Sequence, residues 1–552
     1  MPTNMNRRAA LGVALASTAL PLLGGLARAE TLPLTTVPGA PFAEVEAAHG
    51  KIRGGTARGA LAFKGVPYGG SLSGANRFRR PAPVRPWTGV FDATQLGPPS
   101  IQRPGGTYGD HEPAHGEDCL VLNVWTPAAD GKKRPVMVYL HGGGFVSGSG
   151  GSPTQDGGRL AAVYDVVVVA CNHRLGLLGY LFLGDYGDQY AANAGMLDIV
   201  QSLRWVKDNI AAFGGDPDNV TVLGESGGGG KVGTLLAMPE AQGLFHKAGI
   251  ESGAWTRRMT RERASETARR LLKALDIRDP AKLADVPVQT LLDWQVRGED
   301  GQAPLADPDA TGGRMTWAGY GEEQVGHFGP VVDGQILPRH PFEPDVTPLA
   351  AHIPLLIAHN NAESAFGFRD KPEIFDLTED AMRARLSTEF GGKAEALISA
   401  YRASRPGATP SQLYIAITTA RQFGNDTVTV ASRKSMQPAP VWFYRWDYNA
   451  NVPVKGSTTG AVTGPGHASD IAPTFYNWDE HGLHGDGPGV EAASRNLSSI
   501  WTRFARTGVP SCPGVTDWPP YDTRTRPVLL VDTACRVVND PDGAARKVWG
   551  IG

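Results

Sequence analysis

Short apolar runs alternate with amphipathic segments through the first half of the chain. Residues 136–140, 166–171 and 220–223 are apolar and β-branched, as expected of strands that are buried on both faces. Between the second and third runs, apolar residues recur at helical spacing over residues 199–210, and the glycines and proline of residues 214–217 end the pattern. This alternation predicts an α/β fold with a mostly parallel central sheet and helices on both faces.

The segment at residues 255–345 breaks this pattern. Alanines and leucines at helical spacing in residues 264–275 predict a surface helix, whereas residues 301–326 are polar and have no periodicity. Strand patterns return at residues 354–357 and 441–444. An irregular segment inserted between core strands predicts a cap or wall over a site.

The first 29 residues have the pattern of a secretory signal. Two arginines (residues 7–8) precede an uncharged stretch at residues 9–27, and an Ala-Arg-Ala cleavage site ends at Ala29. The paired arginines partly match a twin-arginine signal. Pro21 and two glycines make the stretch a poor membrane anchor. We therefore expect a protein exported to the periplasm or secreted, with residues 30–552 forming one domain that has no stable membrane insertion.

Composition and charge narrow the function classes. Hydrophobic residues make up 41% and charged residues 20% of the chain, which excludes a disordered protein, and the net charge of −2 gives no electrostatic basis for binding nucleic acid. The 70 glycines favour a loop-rich enzyme. The four cysteines form no C-x-x-C pair, which disfavours a zinc site. Three pairings are open to them; Cys512 with Cys535 is favoured, with Cys119 and Cys171 as buried thiols.

A G-x-S-x-G motif at residues 224–228 follows the third apolar run. Strand, tight turn and helix in this order form a nucleophile elbow, which exposes the hydroxyl of Ser226 at the edge of a sheet. A phosphate loop ending at Lys231 is the rival interpretation. It fails because Glu225 stands where that loop needs a glycine, and Val232 where it needs a hydroxyl.

A second glycine motif, His-Gly-Gly-Gly-Phe at residues 141–145, follows the first apolar run. The tetrahedral intermediate of acyl transfer carries a negative charge on oxygen, and backbone N–H groups stabilise that charge only where no side chain blocks their approach. Gly143 and Gly144 meet this condition, and the amide of Gly227, directly after the serine, would be the third donor. These three residues are the predicted oxyanion hole.

The general base and the acid that orients it should follow the serine along the chain. His467 lies in a Gly-Pro-Gly-His turn that could present its ring to a pocket, and Glu363 lies just beyond the strand pattern at residues 354–357. His481 and His484 lie in a stretch rich in Gly and Asp that predicts a solvated loop. Their H-x-x-H spacing could supply two metal ligands, but no third ligand is found, so no metal site is predicted.

These motifs resemble the type-B carboxylesterases, the family of bacterial para-nitrobenzyl esterases and animal cholinesterases. The resemblance extends over nearly the whole mature chain and includes residues 63–68, 77–78, 117–124, 141–145, 172–176, 224–228, 330–334, the Glu363 segment and the His467 segment. It implies an α/β-hydrolase fold with an inserted cap, the triad Ser226, Glu363 and His467, and a structural ion pair between Asp118 and Arg174.

Three residues depart from the family pattern. Gly227 replaces the usual alanine but keeps its N–H group, and Ser100 stands where the disulfide partner of Cys119 is expected. His173 replaces a common tyrosine, a change that the sequence does not explain. Trp255, Phe145 and Phe366 are candidate aromatic walls, although aromatic residues in such loops more often serve packing.

The function predicted from these residues is hydrolysis of a small-molecule carboxylic ester by a serine esterase, through an acyl-enzyme and without cofactor or metal. One alternative is a catalytically inactive, cholinesterase-like binding module, which typically lacks the nucleophile. Another is an acyltransferase or amidase with the same triad. Substrate identity and oligomeric state are not predicted.

Overall fold

One mixed sheet contains thirteen of the strands in the described residues, and a short pair stands apart. The computed structural model describes residues 42–102, 112–297, 328–480 and 482–552, all within one compact unit. The strands are β1 (Ala43–Ala47), β2 (Gly50–Ala57), β3 (Ala60–Pro67), β4 (Val90–Asp92), β5 (Val121–Thr126), β6 (Arg134–Leu140), β7 (Val167–Cys171), β8 (Gly215–Glu225), β9 (Lys247–Glu251), β10 (Met259–Thr260), β11 (Val331–Val332), β12 (Leu355–Asn360), β13 (Val441–Trp446), β14 (Pro527–Val531) and β15 (Arg536–Asn539).

The strand order is β1-β2-β3-β5-β7-β6-β8-β9-β12-β13-β14-β15, with β4 beside β2. From β7 to β14 all neighbours are parallel, whereas β1, β2, β3, β5 and β15 join antiparallel. The helices are α1 (Gly158–Tyr164), α2 (Gly176–Tyr180), α3 (Ala194–Asn209), α4 (Gly227–Leu236), α5 (Arg261–Ala274), α6 (Val288–Arg297), α7 (Pro372–Phe375), α8 (Glu379–Phe390), α9 (Ala394–Ser404), α10 (Pro410–Thr419), α11 (Asn425–Lys434), α12 (Ile471–Thr474), α13 (Val490–Thr507) and α14 (Gly543–Trp549).

Side chains of the central strands alternate between two buried cores. Val138 of β6 packs into a core that also contains Leu203 of α3 and Val232 of α4. Its neighbour Tyr139 packs into a second core with Trp501 of α13. Because successive residues of a strand point to opposite faces, continuous apolar runs are needed when helices cover both sides. The predicted α/β class, the three strand runs and the helix between them are confirmed.

The segment at residues 255–345 contains two helices, α5 and α6, and two short strands in its described part, and residues 333–345 are irregular. The predicted surface helix is α5, which begins at the N-cap Thr260 and buries Ala264, Ala268 and Leu271. Strands β10 and β11 pair in parallel and bring the two ends of the segment together. The polar stretch at residues 301–326 lies outside the described residues, as does the predicted signal at residues 1–29. The cap role therefore stays a prediction.

The predicted ion pair between Asp118 and Arg174 is wrong. Arg174 instead pairs with Asp198 of α3, at 2.6 Å between Nη2 and Oδ1, and both groups are buried. Asp118 accepts hydrogen bonds from the Ser71 hydroxyl and the Leu72 amide. Asp198 lies on the inner face of a helix that the sequence already predicted, but spacing alone did not show which acid meets the arginine.

The favoured disulfide between Cys512 and Cys535 is also absent, since all four cysteines are free thiols. These two thiols contact each other, but each also donates to a backbone carbonyl, that of Pro513 or Asp532. Cys119 and Cys171 are buried, as expected. Among the described residues, no helix combines the length and the apolar character needed to cross a bilayer.

Candidate active site

Ser226 occupies a sharp turn between β8 and α4. Its φ of 56° and ψ of −123° lie in a region that a residue with a side chain rarely adopts, at a strain of about 1–3 kcal/mol. The Ser226 amide donates to the Glu251 carbonyl of the neighbouring strand at 2.8 Å, which holds the turn in place. A Cβ on Gly228 would stand 1.9 Å from the Leu140 carbonyl oxygen, so only glycine lets the helix start so close to the sheet.

His467 lies between Ser226 and Glu363. Its Nδ1 is 2.6 Å from Glu363 Oε2, and its Nε2 is 2.8 Å from Ser226 Oγ. Because a carboxylate only accepts, Nδ1 carries the proton and donates, and in the neutral imidazole Nε2 accepts from the serine hydroxyl. The structure thus brings the three predicted residues together in one hydrogen-bonded chain, and each is at least nine-tenths buried.

Glu363 follows β12 and is fully buried. Its Oε1 accepts from the Ser252 hydroxyl at 2.5 Å and from the Asn360 amide at 2.7 Å, while Oε2 faces His467. The Asn360 side chain in turn donates to the Gly466 carbonyl, next to His467. These bonds fix both the carboxylate and the loop that carries the histidine.

Glu225 is a second carboxyl beside the histidine that the sequence analysis did not assign to the site. Its Oε1 is 3.3 Å from His467 Nε2, and the residue is 1% exposed. Burial raises the pKa of Glu225 well above its usual range. Burial lowers the pKa of His467, but the carboxyl groups of Glu225, Glu363 and Asp470 outweigh it, so the net pKa lies above that of a free imidazole.

The predicted oxyanion residues lie in a tight loop after β6 and at the start of α4. Gly143 and Gly144 have φ values of 86° and 58°, and the Gly143 carbonyl accepts from the amides of Val146 and Ser147. Gly227 is the first residue of α4, so its N–H has no acceptor within the helix. A Cβ on Gly227 would stand 2.7 Å from Gly144 N, so the loop lies directly against the helix start.

Aromatic rings surround the imidazole. Phe423 lies 4.8 Å from the His467 ring at 35°, and the half-buried Phe366 lies 5.8 Å away, edge to face. Phe145 and Trp255 are buried in the core, with centroids 6.4 Å apart. Phe423 belongs to a π-helical turn at Ala420–Gly424, and helical periodicity in the sequence gives no signal for that turn.

Neither the His481–His484 pattern nor the neighbouring pair His111 and His115, which the sequence gives no third ligand either, forms a metal cluster in the described part of the chain. His484 is buried and its Nε2 lies 3.1 Å from the Trp478 carbonyl. His481 and His111 lie outside the described residues. His115 Nδ1 is 3.2 Å from the Gln102 carbonyl.

Comparison with known proteins identifies the family. The model of the carboxylesterase family matches residues 41–549. The chain is 36% identical to the para-nitrobenzyl esterase of Bacillus subtilis, over 90% of this chain and 96% of that protein, and 33% identical to the phenmedipham hydrolase of Pseudarthrobacter oxydans, over 89% and 95%. The carboxylesterase structure of Geobacillus stearothermophilus superposes with a TM-score of 0.74 at 36% identity, covering 92% of this chain and 99% of that one.

The fold, the matched family and the relatives agree with each other and with the resemblance of the motifs. The match covers the strands, the glycine loops and the three residues that meet at the sheet edge. The chain belongs to the carboxylesterase family, with the α/β-hydrolase fold, and is a serine hydrolase of carboxylic esters.

Proposed function

We propose that Ser226, His467 and Glu363 hydrolyse small-molecule esters through an acyl-enzyme. Ser226 Oγ attacks the ester carbonyl carbon while its proton moves to His467 Nε2, and the carbonyl π electrons move to oxygen. His467 then gives the proton to the leaving alcohol. Water repeats the sequence on the acyl-enzyme and releases the acid. Glu363 stays ionised and holds the imidazole tautomer.

The observation that carries this proposal is the unbroken hydrogen-bond chain from Ser226 Oγ through His467 to Glu363. A buried serine hydroxyl beside an unprotonated imidazole nitrogen is an activated nucleophile. The carboxylate is itself fixed by two donors, so the imidazole cannot rotate away without losing a charged hydrogen bond.

We assign the amides of Gly143, Gly144 and Gly227 to the oxyanion. Loop and helix start meet beside Ser226, where the positive end of the α4 dipole also lies. Removing one such donor typically slows acyl transfer about 100- to 1000-fold, so three donors account for a large share of the rate. A dry site makes each donor more effective.

The test is hydrolysis of an aryl ester and of a para-nitrobenzyl ester, the ester type in the name of one relative, by the wild type and by Ser226→Ala. We expect kcat to fall at least about 1000-fold in the variant while Tm stays within a few degrees, because the serine makes no core contact that alanine loses. Product analysis in the presence of added alcohol separates hydrolysis from transfer to another alcohol. Equal turnover by the variant would refute the assignment.

A further inference from the structure

A completely buried lysine lies one helical turn beyond the start of α4. Lys231 has no exposed surface, and its Nζ donates to the His141 carbonyl at 2.7 Å. The same Nζ lies 5.6 Å from the ring centroid of Phe145. Moving an ammonium out of water is costly unless it is paired, and no ion pair of Lys231 occurs among the described residues. The proposed mechanism gives this lysine no role.

The carbonyl that Lys231 holds begins the oxyanion loop. His141 is the first residue of the loop, and its ring Nδ1 donates to the Gly142 carbonyl at 2.9 Å. That carbonyl and the Gly143 N–H belong to one peptide group, so a bond to the carbonyl also fixes the direction of the amide. Lys231 and the His141 ring thus hold two consecutive peptides that lead to the proposed donors.

Helix α4 also contacts the loop at residues 141–145 through Gly227, which lies on the same helix face as Lys231. Gly227 and Lys231 are four residues apart, so both face the loop. Gly227 lets Gly144 N come to within 2.7 Å of the place where a Cβ would stand. One residue therefore permits the close approach and the other anchors it.

The groups that face Lys231 from neighbouring elements are uncharged. They are the Cys171 thiol at the end of β7 and the imidazoles of His141 and His173, which stack at 4.7 Å with 6° between their planes. Burial, followed by the nearby lysine, lowers the pKa of both histidines well below the usual range. Burial also lowers the pKa of Lys231 to about 7.

We propose that Lys231 is a positioning residue for the oxyanion hole: its Nζ anchors the His141 carbonyl and keeps the amides of Gly143 and Gly144 directed at the oxyanion. The lysine reaches the reacting atoms only through this loop. The inference rests on the proposed function of Ser226 and the loop. It also gives His173 a place, since its ring packs flat on the ring that holds the Gly142 carbonyl.

The test compares Lys231→Met with Lys434→Met. Lys434 of α11 is a matched control, because it is also buried and donates to a backbone carbonyl, that of Ala350, at 2.7 Å. Rates are expressed per active site titrated with a fluorophosphonate. We expect Lys231→Met to lower kcat about 10- to 100-fold with KM within about twofold of wild type, because a misdirected donor weakens only the transition state.

A trifluoromethyl ketone gives a second readout. Ser226 Oγ adds to the ketone carbon, the serine proton moves to His467 and the ketone oxygen becomes an oxyanion. We expect Ki to rise in Lys231→Met by about the same factor as kcat/KM falls, and to stay unchanged in Lys434→Met. Tm should change little in Lys231→Met, because removal of the buried ammonium offsets the lost hydrogen bond to the His141 carbonyl.

Lys231→Gln keeps an uncharged N–H donor near the carbonyl and is the second variant, should the methionine variant fail to fold. It should recover part of the lost rate. If kcat per titrated site and Ki match wild type in whichever variant folds, the proposal is overturned and Lys231 only anchors α4. If the wild type itself is not labelled at Ser226, the proposed function fails instead.

Discussion

Two carboxyl groups face the single imidazole of the site, and they act on opposite nitrogens. Glu363 binds Nδ1, whereas Glu225 lies 3.3 Å from Nε2, the nitrogen that must accept the serine proton. A negative charge on either side favours the imidazolium, which forms as the tetrahedral intermediate forms. As a consequence, His467 is also protonated more readily in the resting enzyme.

The pH dependence of kcat/KM should report this balance. The rate requires neutral His467 and falls as pH decreases through the pKa of that group, which the carboxyl groups raise. Glu225 carries a negative charge only above its own raised pKa. Glu225→Gln removes that charge without changing the shape of the side chain, so the acid limb should move to lower pH where the wild-type carboxyl group is ionised. A matched charge control is Glu240→Gln, at a half-buried carboxyl group that pairs with Arg80 and Arg204 and should leave the limb in place. An acid limb that does not move in Glu225→Gln would contradict this reading.

The sequence alone identifies those site residues whose role follows from their neighbours along the chain. Ser226 follows a strand and opens a glycine turn, and Glu363 and His467 follow it in the order of the fold, so all three could be named in advance. Glu225 and Phe423 could not be assigned to the site. Their roles depend on distances across the fold, 3.3 Å and 4.8 Å to His467, that no spacing along the chain reveals.

Buried hydrogen bonds join the end of strand β9 to strand β13 and to helices α12 and α13. Glu251 Oε1 accepts from Tyr444 of β13, Thr474 of α12 and Trp501 of α13, at 2.7, 2.9 and 3.0 Å. The Glu251 carbonyl also holds the amide of Ser226. This single side chain therefore fixes the strand end on which the nucleophile turn rests.

Stability should respond to Glu251 in a defined direction. Burial, and next the charge of Asp470, raise the pKa of Glu251 to about 8. An acid whose folded pKa is raised stabilises fully below its unfolded pKa of about 4.3, and this stability is lost as pH rises through the folded value. Glu251→Gln mimics the protonated acid, so its Tm should gain on the wild type between pH 5 and 8.5. Glu251→Ala should lower the free energy of unfolding by about 3 kcal/mol, because three buried donors lose their acceptor. If the Tm values of the wild type and Glu251→Gln change in parallel with pH, this prediction is wrong.

Periodicity predicted the central elements because burial on both faces demands apolar residues at every position, as in β6 and β7. It did not predict the antiparallel strands at the edge, where β2 is half-exposed and contains three glycines. The family resemblance, in turn, implied the wrong partner for Arg174, which pairs with Asp198. Residues 174 and 198 meet only because α3 packs its inner face against the loop after β7.

Over the whole molecule, three residues far apart in sequence meet at one edge of the sheet. His467 is 241 residues from Ser226 and 104 from Glu363. Ser226 follows β8, Glu363 follows β12 and His467 follows β13, and parallel strands bring their carboxyl ends to one edge. Long-range convergence of this kind is set by topology, which is why the family resemblance could anticipate it and composition could not.

We also propose that the protein is exported, on the pattern of its first 29 residues. Cleavage after Ala29 predicts a mature chain that begins at Glu30. Expression of the full chain in a bacterial host, followed by fractionation and N-terminal mass spectrometry, should find this form outside the cytoplasm. Substitution of both Arg7 and Arg8 by lysine separates twin-arginine export from general (Sec) export, since only twin-arginine export should be lost. An uncleaved protein confined to the cytoplasm would contradict export.

The proposed mechanism requires that one hydroxyl, activated by His467, forms the covalent intermediate. Folded protein is treated with a fluorophosphonate probe and digested, and the modified peptide is sequenced by mass spectrometry. We expect one adduct per chain, on Ser226, and none in Ser226→Ala or after denaturation. An adduct on another residue, or no adduct on folded wild-type protein, would contradict it.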